Sequence, residues 1–329
     1  MTLDIVTGEA IRSCVSMEAC IDLMAATMRA VSRGEASMPP RSIVALGQSG
    51  NLLIDMPGAI AHLDAFGSKL LSYFPQNTAL PAIQGVIILF DAATGRPTAV
   101  IDAVSVTALR TAAASGMATR LLAREDACSL ALLGTGVQAE YHLRAMRAVR
   151  PITRVFVWGR SYEKAEEFAE RHCRVGDQFA VTPNARMAVE QADIVCTVTS
   201  SPTPVLEGRW LKPGMHLNLV GAFTPVTREA DTEAIRRSRF FVEIREFALR
   251  EAGELLIPIA QGELGADHIA GEIGEVVAGS IAGRTRPDDI TAYKSLGNVA
   301  QDLATAAYAY QQVANGKVPG TTRVANFGA

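Results

Sequence analysis

The sequence predicts an α/β protein built on a central, Rossmann-type, doubly wound parallel sheet, accompanied by a second region of α+β type. Three observations carry this. From Cys128 onward, apolar strand-like runs alternate with helical segments. One of those runs leads directly into a Gly-x-Gly-x-x-Ala turn that opens a helix. The first third lacks this alternation and instead strings short strand-like runs and a hairpin between two helices. At 329 residues the chain is too long for one ordinary core. Two domains are expected, one over residues 1–120 that the C-terminal helix near 300–329 rejoins, and a dinucleotide-binding domain over 121–299.

In chain order, Ser16 is placed to cap a helix whose apolar face carries Cys20, Leu23, Met24, Met28 and Val31, with Gly34 closing it. The methionines are read as core. Pro39 and Pro40 break the chain, and short strands follow at 42–46, 52–56 and 67–73. GVIILFDAATGRPTAVID reads as a hairpin around Asp91 and Gly95. ALRTAAASGMATRLL reads as a helix of small side chains, suited to close packing. Beyond it SLALLG, RVFVWG, DIVCTVTS, HLNLVGA and RFFVEI read as strands, and VQAEYHLRAMRAV and SYEKAEEFAERH as helices. Near-continuous apolar strands such as SLALLG fit a sheet buried on both faces. NVAQDLATAAYAYQQVANG reads as a last helix ending at Gly316 that packs back on the N-terminal domain, and the tail after Lys317 as loose.

Composition narrows the function. A hydrophobic fraction of 49% with 20% charged residues marks a globular chain rather than a disordered one. The net charge of -3, with no basic block, argues against nucleic acid or an anionic membrane as partner. Five cysteines, Cys14, Cys20, Cys128, Cys173 and Cys196, form no CxxC pair and read as reduced thiols of a cytoplasmic protein. The start of the chain has no signal-peptide pattern, and no apolar run is long enough to span a bilayer. The five histidines show no HxxxH spacing, so no metal is expected.

The motif LLGTGVQA supplies the candidate cofactor loop, Gly134, Thr135, Gly136, Val137, Gln138 and Ala139. Gly134 permits the tight turn, Gly136 lets a pyrophosphate approach the backbone, and Ala139 lets helix and strand pack closely. The helix N-terminus adds free N–H donors and partial positive charge. The next strand ends Trp158-Gly159-Arg160-Ser161, without the carboxylate that NAD-binding proteins use on the ribose. Arg160 and Ser161 suit a 2′-phosphate instead, which predicts NADPH in preference to NADH. Thr199, Ser200 and Ser201, at a strand's carboxyl end, are expected near the nicotinamide.

Outside this domain, Arg41, Lys69 and Arg110 sit among apolar or small residues, where cations are seldom buried without a partner. They are the candidates for binding a carboxylate. The sequence here resembles the ornithine cyclodeaminase/μ-crystallin family. The resemblance runs in order through PPRS, SKLLSYFPQN, LPAIQGVIILFDAATGRPTAVIDA, TALRTAAASGMATRLLARED, LLGTGVQA, ADIVCTVTSSPTPVL and YKSLGNVAQDLATA, nearly the whole chain. It implies a substrate domain formed by the two ends of the chain around a central Rossmann domain, and a homodimer built through the substrate-domain sheets. It also implies that Arg41, Lys69 and Arg110 bind the substrate carboxylate and that Ser295 approaches the substrate.

The family holds several chemistries. Its cyclodeaminases carry an aspartate in a segment that here reads Gly221-Ala222-Phe223-Thr224-Pro225, so Phe223 stands at the acidic position. A phenyl ring accepts no proton and pairs with no ammonium. The expected activity is therefore NADPH-dependent reduction of a cyclic imino acid, Δ1-pyrroline-2-carboxylate or Δ1-piperideine-2-carboxylate, to L-proline or L-pipecolate. Lys69 is the candidate proton donor. The rival readings are an ornithine or lysine cyclodeaminase, an alanine dehydrogenase, or a crystallin-like protein that binds NADPH and a small ligand without turnover. Asp55 and Asp231 are spare carboxylates away from the matching position.

Overall fold

The computed structural model describes residues 2–316 and 318–325. Residues 1–110 with 297–329 form one compact unit, and residues 111–296 form a second.

The first unit opens with β1 (Thr2–Val6), α1 (Gly8–Cys14) and α2 (Met17–Ser32). Ser16 caps α2 by accepting from the Ala19 N–H at 3.1 Å, and Met24 and Met28 are fully buried. The strands β2 (Ala36–Ser37), β3 (Ser42–Ala45), β4 (Leu52–Ile60), β5 (Ala65–Tyr73), β6 (Ile83–Phe90) and β7 (Pro97–Asp102) follow, and α3 (Ala103–Leu122) leads out of the unit. The second unit contains β8 (Ser129–Leu133), α4 (Val137–Val149), β9 (Arg154–Trp158), α5 (Tyr162–His172), β10 (Gln178–Val181), α6 (Ala185–Val189), β11 (Ile194–Thr197) and β12 (His216–Leu219). It continues with α7 (Thr232–Arg236), β13 (Ser238–Val242), α8 (Arg245–Glu251), α9 (Gly253–Ala260), β14 (Ile269–Glu272), α10 (Ile273–Val277) and β15 (Ile290–Lys294). Then α11 (Val299–Asn315) and β16 (Thr321–Ala325) return to the first unit.

The first unit's sheet runs β16-β1-β7-β6-β5-β4-β2, with β3 also paired to β4. Only β1 and β7 are parallel neighbours; the other pairs are antiparallel. Helix α11 packs on β4, β5 and β6 and against α1 and α2. Alanine at 300, 304, 306, 307 and 309 lets it lie close to the sheet. Two expectations are corrected. The strand at 52–56 continues through Pro57 to Ile60, because Pro57 falls opposite the gap between β2 and β3, where a missing N–H breaks no ladder. The tail expected to be loose instead forms β16, antiparallel to β1; Lys317 and residues 326–329 lie outside the described residues.

The second unit is the doubly wound sheet the sequence predicts. All its strands are parallel, in the order β10-β9-β8-β11-β12-β15-β13-β14. The order reverses between β8 and β11, so right-handed crossovers put α4 and α5 on the opposite face from the later helices. Strands β8, β11, β12 and β15 are buried at every position. The sequence reading had not anticipated β1, β2, β10, β14 or β15, nor the helices α1 and α6 to α10.

Candidate active site

Strand β5 alternates buried and outward positions from Ala65, which turns Lys69 toward the face that α11 covers. Its cross-strand neighbours are Met56 and Ile87, so the sheet offers the ammonium no polar partner. The partners come from the helices. Lys69 Nζ donates to Asp302 Oδ1 at 2.8 Å and to Thr107 Oγ1 at 2.7 Å. Arg110 Nε donates to the same Asp302 oxygen at 2.9 Å, and Arg110 Nη1 to Gln301 Oε1 at 3.0 Å. Lys69 is 2% exposed, Arg110 7% and Asp302 0%. Half-buried Arg41 is close enough for its charge to act on Lys69. The structure thus brings Lys69 and Arg110 together on one carboxylate, with Arg41 within range of a charge effect on Lys69, and adds Asp302, Gln301 and Thr107, which sequence reasoning missed.

The electrostatics follow from burial. Loss of solvent pushes the Lys69 ammonium down to about 8, opposed by Asp302 and reinforced by the like charges of Arg110 and Arg41. Burial alone raises the Asp302 carboxyl, but Arg110 and Lys69 outweigh it and hold the group below its usual range. Asp302 Oδ2 is buried with no hydrogen-bond partner among the described residues. Gly297 completes the arrangement. It has φ +75°, and a Cβ there would lie 2.7 Å from Arg110 Nη1 and 2.8 Å from Nη2. Only glycine leaves that end of the guanidinium clear.

In the second unit, β8 ends at Leu133 and α4 begins at Val137, with Gly136 as its N-cap. Gly134 has φ +125°, and a Cβ on it would meet Val198 O at 2.7 Å. A Cβ on Gly136 would meet nothing within 4 Å, and no side chain caps α4. The loop therefore fits a dinucleotide pyrophosphate: open space stands before uncapped N–H groups at the head of a 13-residue helix. Ala139 is fully buried, as close packing of helix on strand requires. Thr135, Val137 and Gln138 complete the turn, and Gln138 Oε1 is buried without a partner among the described residues. Arg160 is exposed just past β9, with no ion pair or hydrogen bond among the described residues. Ser161 caps α5, accepting from the Lys164 N–H at 3.3 Å, which leaves its hydroxyl proton to donate.

At the carboxyl ends of β11 and β12 a buried carboxylate organises the backbone. Glu229 Oε1 accepts from the Thr199 N–H at 2.7 Å and its hydroxyl at 2.6 Å, and Oε2 from the Gly221 N–H at 2.6 Å. Burial nevertheless raises the Glu229 carboxyl. Glu254 accepts from the Glu229 N–H and pairs with Lys294 Nζ at 2.9 Å. Thr199 is thus held by its hydroxyl, whereas Ser200 is exposed. Ser295 is 2% exposed and donates to Glu243 Oε1 at 3.1 Å, the oxygen that also accepts from Tyr293. Thr199 and Ser295 were anticipated from sequence, but the carboxylates Glu229, Glu243 and Glu254 that hold this second network were not.

Other candidates have structural duties. Asp231 Oδ1 accepts the N–H groups of Gly208 and Ala234, both at 2.8 Å, as the cap of α7. Asp55 accepts from the Ser68 hydroxyl. Phe223 is 48% exposed. His142 and His216 are pushed by burial to about 4 and about 3, so both are neutral at pH 7. A hollow of about 410 Å³ at the amino ends of β13 and β15 is lined by Arg236, Arg237, Arg239 and Arg286. Their guanidinium groups are engaged by Glu233, Glu263, Asp288, Asp289 and backbone carbonyls, so it reads as a neutralised surface. Among the described residues no group of three or more His, Cys, Asp or Glu side chains is placed to hold a metal, and no helix is long and apolar enough to cross a membrane.

A doubly wound parallel sheet with an open glycine loop, in one chain with an α+β unit that buries cations around a carboxylate, defines a two-unit protein of the dinucleotide-fold class. The chain belongs to the ornithine cyclodeaminase/mu-crystallin family, whose model matches residues 2–317. A Delta(1)-pyrroline-2-carboxylate reductase of Bacillus cereus is 35% identical over 305 residues, covering 92% of this chain and 94% of the relative. The structure of Thermococcus litoralis Delta(1)-pyrroline-2-carboxylate reductase in complex with NADH and L-proline superposes with a TM-score of 0.91 at 33% identity, covering 95% of this chain and 98% of that one. An archaeal alanine dehydrogenase dimer with bound NAD gives 0.92 at 31% identity, covering 99% and 100%.

Proposed function

We propose that this chain reduces a cyclic ketimine carboxylate, Δ1-pyrroline-2-carboxylate or Δ1-piperideine-2-carboxylate, to L-proline or L-pipecolate, using NADPH. The observation that carries the reading is the buried meeting of Lys69, Arg110 and Asp302, joined by the charge of Arg41. Relatives named as reductases of this imine, one of them in complex with NADH and L-proline, support the reaction class and a nicotinamide cofactor.

A bound nicotinamide supplies the hydride. The chain's own residues do the rest. Arg41 and Arg110 pair with the substrate carboxylate, Arg110 through the Nη2 end that Gly297 leaves clear. Lys69 spends two donors on Asp302 and Thr107 and has a third without a protein partner among the described residues. An ammonium near 8 is mostly protonated at pH 7 yet gives up its proton readily, which suits a general acid for the imine nitrogen. Donation of that proton to the imine nitrogen, matched by the hydride the cofactor would supply, would turn C=N into CH–NH and leave Lys69 neutral.

The loop Gly134–Ala139, with Ser161, Thr199 and Ser200, binds the cofactor in this reading. Unpaired Arg160, with no carboxylate at the end of β9, favours the 2′-phosphate and hence NADPH over NADH. Residues 1–110 with 297–329 act as the substrate and dimerisation domain. Ile43, Val44, Leu46, Leu53 and Leu80, each at least 50% exposed in that unit, are covered by a second copy of the chain; a related structure is described as a dimer. Phe223 puts no carboxylate at that position for an ornithine side-chain ammonium, Asp55 and Asp231 are engaged elsewhere, and Glu229 is spent on the N–H groups of Thr199 and Gly221, which separates this reading from cyclodeamination.

The test is NADPH and NADH oxidation with the two cyclic imino acids, alongside pyruvate with ammonia, and ammonia release from ornithine. Turnover of a cyclic imine with NADPH supports the proposal. Turnover confined to pyruvate or ornithine, or tight NADPH binding without any turnover, overturns it.

A further inference from the structure

We propose that Asp302 is a positioning residue for the reduction: by sharing one oxygen between Lys69 Nζ and Arg110 Nε, it keeps the Lys69 proton in place for the substrate and fixes the direction of Arg110. The proposal rests on the reading of Lys69 as proton donor given above.

The geometry is specific. Asp302 lies in the first turn of α11, whose N-cap Asn298 accepts from the Gln301 N–H at 3.3 Å. That turn sets Gln301 and Asp302 over β5 and α3. Oδ1 takes both charged donors, at 2.8 and 2.9 Å, while Gln301 takes Arg110 Nη1. Two of the guanidinium's three nitrogens are thereby spent on α11, and Nη2 is the one left over. Two neighbours in the helix act as a brace on one side of a planar fork, so the fork cannot turn without breaking a buried charged hydrogen bond.

The same carboxylate governs the proton. The groups that act on Lys69 are Asp302 from α11, Arg110 and Thr107 from α3, and Arg41 from the segment before β3; the flanking strands present Met56 and Ile87. Only Asp302 among them is negative. Without it, burial and two like charges all act to expel the proton. Asp302 is itself held ionised by its two cationic partners. It therefore acts through Lys69 and Arg110 and needs no contact with the ligand.

The test is the alkaline limb of the pH profile of kcat/KM for imine reduction. In Asp302→Asn, size is kept and charge is lost, so the limb should move down by about one to three pH units. In Asp302→Glu, charge is kept, so the limb should stay within about half a unit even if kcat falls. A merely structural residue would lower activity in both variants and move the limb in neither, and that result overturns the proposal. Should Asp302→Asn not fold, the wild-type protein decides. With carboxyl-13C aspartate, and the Asp302 signal assigned by its loss in Asp302→Glu, that resonance should shift with the midpoint of the kinetic limb; a resonance flat across the limb overturns the proposal. Lys69→Arg separates this from the parent reading. If the limb is unchanged in Lys69→Arg, Lys69 is not the acid and the parent reading fails. If it vanishes there but does not respond in Asp302→Asn, only the role of Asp302 fails.

Discussion

Gly297→Ala isolates the orientation of Arg110 from its charge, because it leaves the chemical identity of Arg110, Asp302 and Gln301 unchanged while crowding the guanidinium. Two effects arise. An alanine held at φ +75° costs roughly 1–2 kcal/mol as backbone strain. Its Cβ would also stand 2.7 and 2.8 Å from Nη1 and Nη2, against a comfortable separation of about 3.5 Å. Relief requires the guanidinium to retreat by most of an ångström, against the bonds to Asp302 at 2.9 Å and Gln301 at 3.0 Å. A misplacement of about 1 Å in a positioning group costs up to about 100-fold in rate. Gly297→Ala should therefore lower kcat/KM for the cyclic imine about 10- to 100-fold, equivalent to roughly 1.4–2.7 kcal/mol. The melting temperature should fall by only about 2–4 °C. Steady-state kinetics and a thermal melt on one preparation read both. A variant that melts lower but keeps kcat/KM within about twofold would show that Arg110 is not aimed by Gly297, and would remove the guanidinium's Nη end from the carboxylate site.

Four further outcomes are expected. Arg160→Asp should cut the NADPH-to-NADH preference ratio about tenfold or more, read from kcat/KM with each cofactor; an unmoved ratio assigns the 2′-phosphate to another group. Glu229→Gln should raise the KM for the cofactor and lower stability by about 1–3 kcal/mol, since an amide nitrogen cannot accept the N–H groups of Thr199 or Gly221; a cofactor KM equal to wild type would detach those loops from the nicotinamide. Val44→Asp should shift the species seen by light scattering from dimer to monomer, and an unchanged mass would place the interface elsewhere. The last concerns pH. Folded Lys69 loses its proton at about 8, whereas the free side chain does so at 10.5, so between those values the unfolded chain binds more protons and this group makes stability rise with pH. Denaturant unfolding at pH 8 and pH 10 should show that gain in wild type relative to Lys69→Met, and equal slopes in the two proteins would contradict it.

What the sequence disclosed and what it concealed divide along a physical line. SLALLGTGVQA carries its own strand, turn and helix within eleven neighbouring residues, so β8, the loop and α4 were legible, and α4 begins and ends where its segment does. Strand β15, ITAYK, was not. It is buried throughout, yet its Thr291 and Lys294 break the apolar run that marks such a strand, and their burial is compensated by Leu122 O, His216 and Glu254 from distant parts of the chain. The same holds for the site. Lys69 and Arg110 were suspicious because cations stood among small and apolar residues. Asp302 looked like an ordinary acidic residue in the first turn of an alanine-rich helix, and its partners lie 233 and 192 residues away. A residue whose meaning is a long-range charge pair leaves no local trace, and only chain closure by α11 exposes it.

The charge of the cluster sets a limit on substrate choice. Arg41, Lys69 and Arg110 against Asp302 give this cluster two net positive charges. A monocarboxylate reduces that to one, and reduction of the imine, in which the Lys69 proton and the negative charge of the hydride end together in a neutral amine, reduces it to zero. A second carboxylate would use up the cluster's positive charge on binding and leave one net negative charge after reduction, beside groups that are nearly all buried, with Asp302 Oδ1 already paired to Lys69 and Arg110 and Oδ2 unable to donate. Uncompensated charge in such a setting costs several kcal/mol. Cyclic imines with one carboxylate should therefore exceed an acyclic iminodicarboxylate in kcat/KM by about 100-fold or more, a gap of roughly 2.7 kcal/mol. The comparison is made at one pH with one cofactor. Equal rates for the two would mean that a further cation meets the ligand, and would move the reading from cyclic ketimines to dicarboxylate imines.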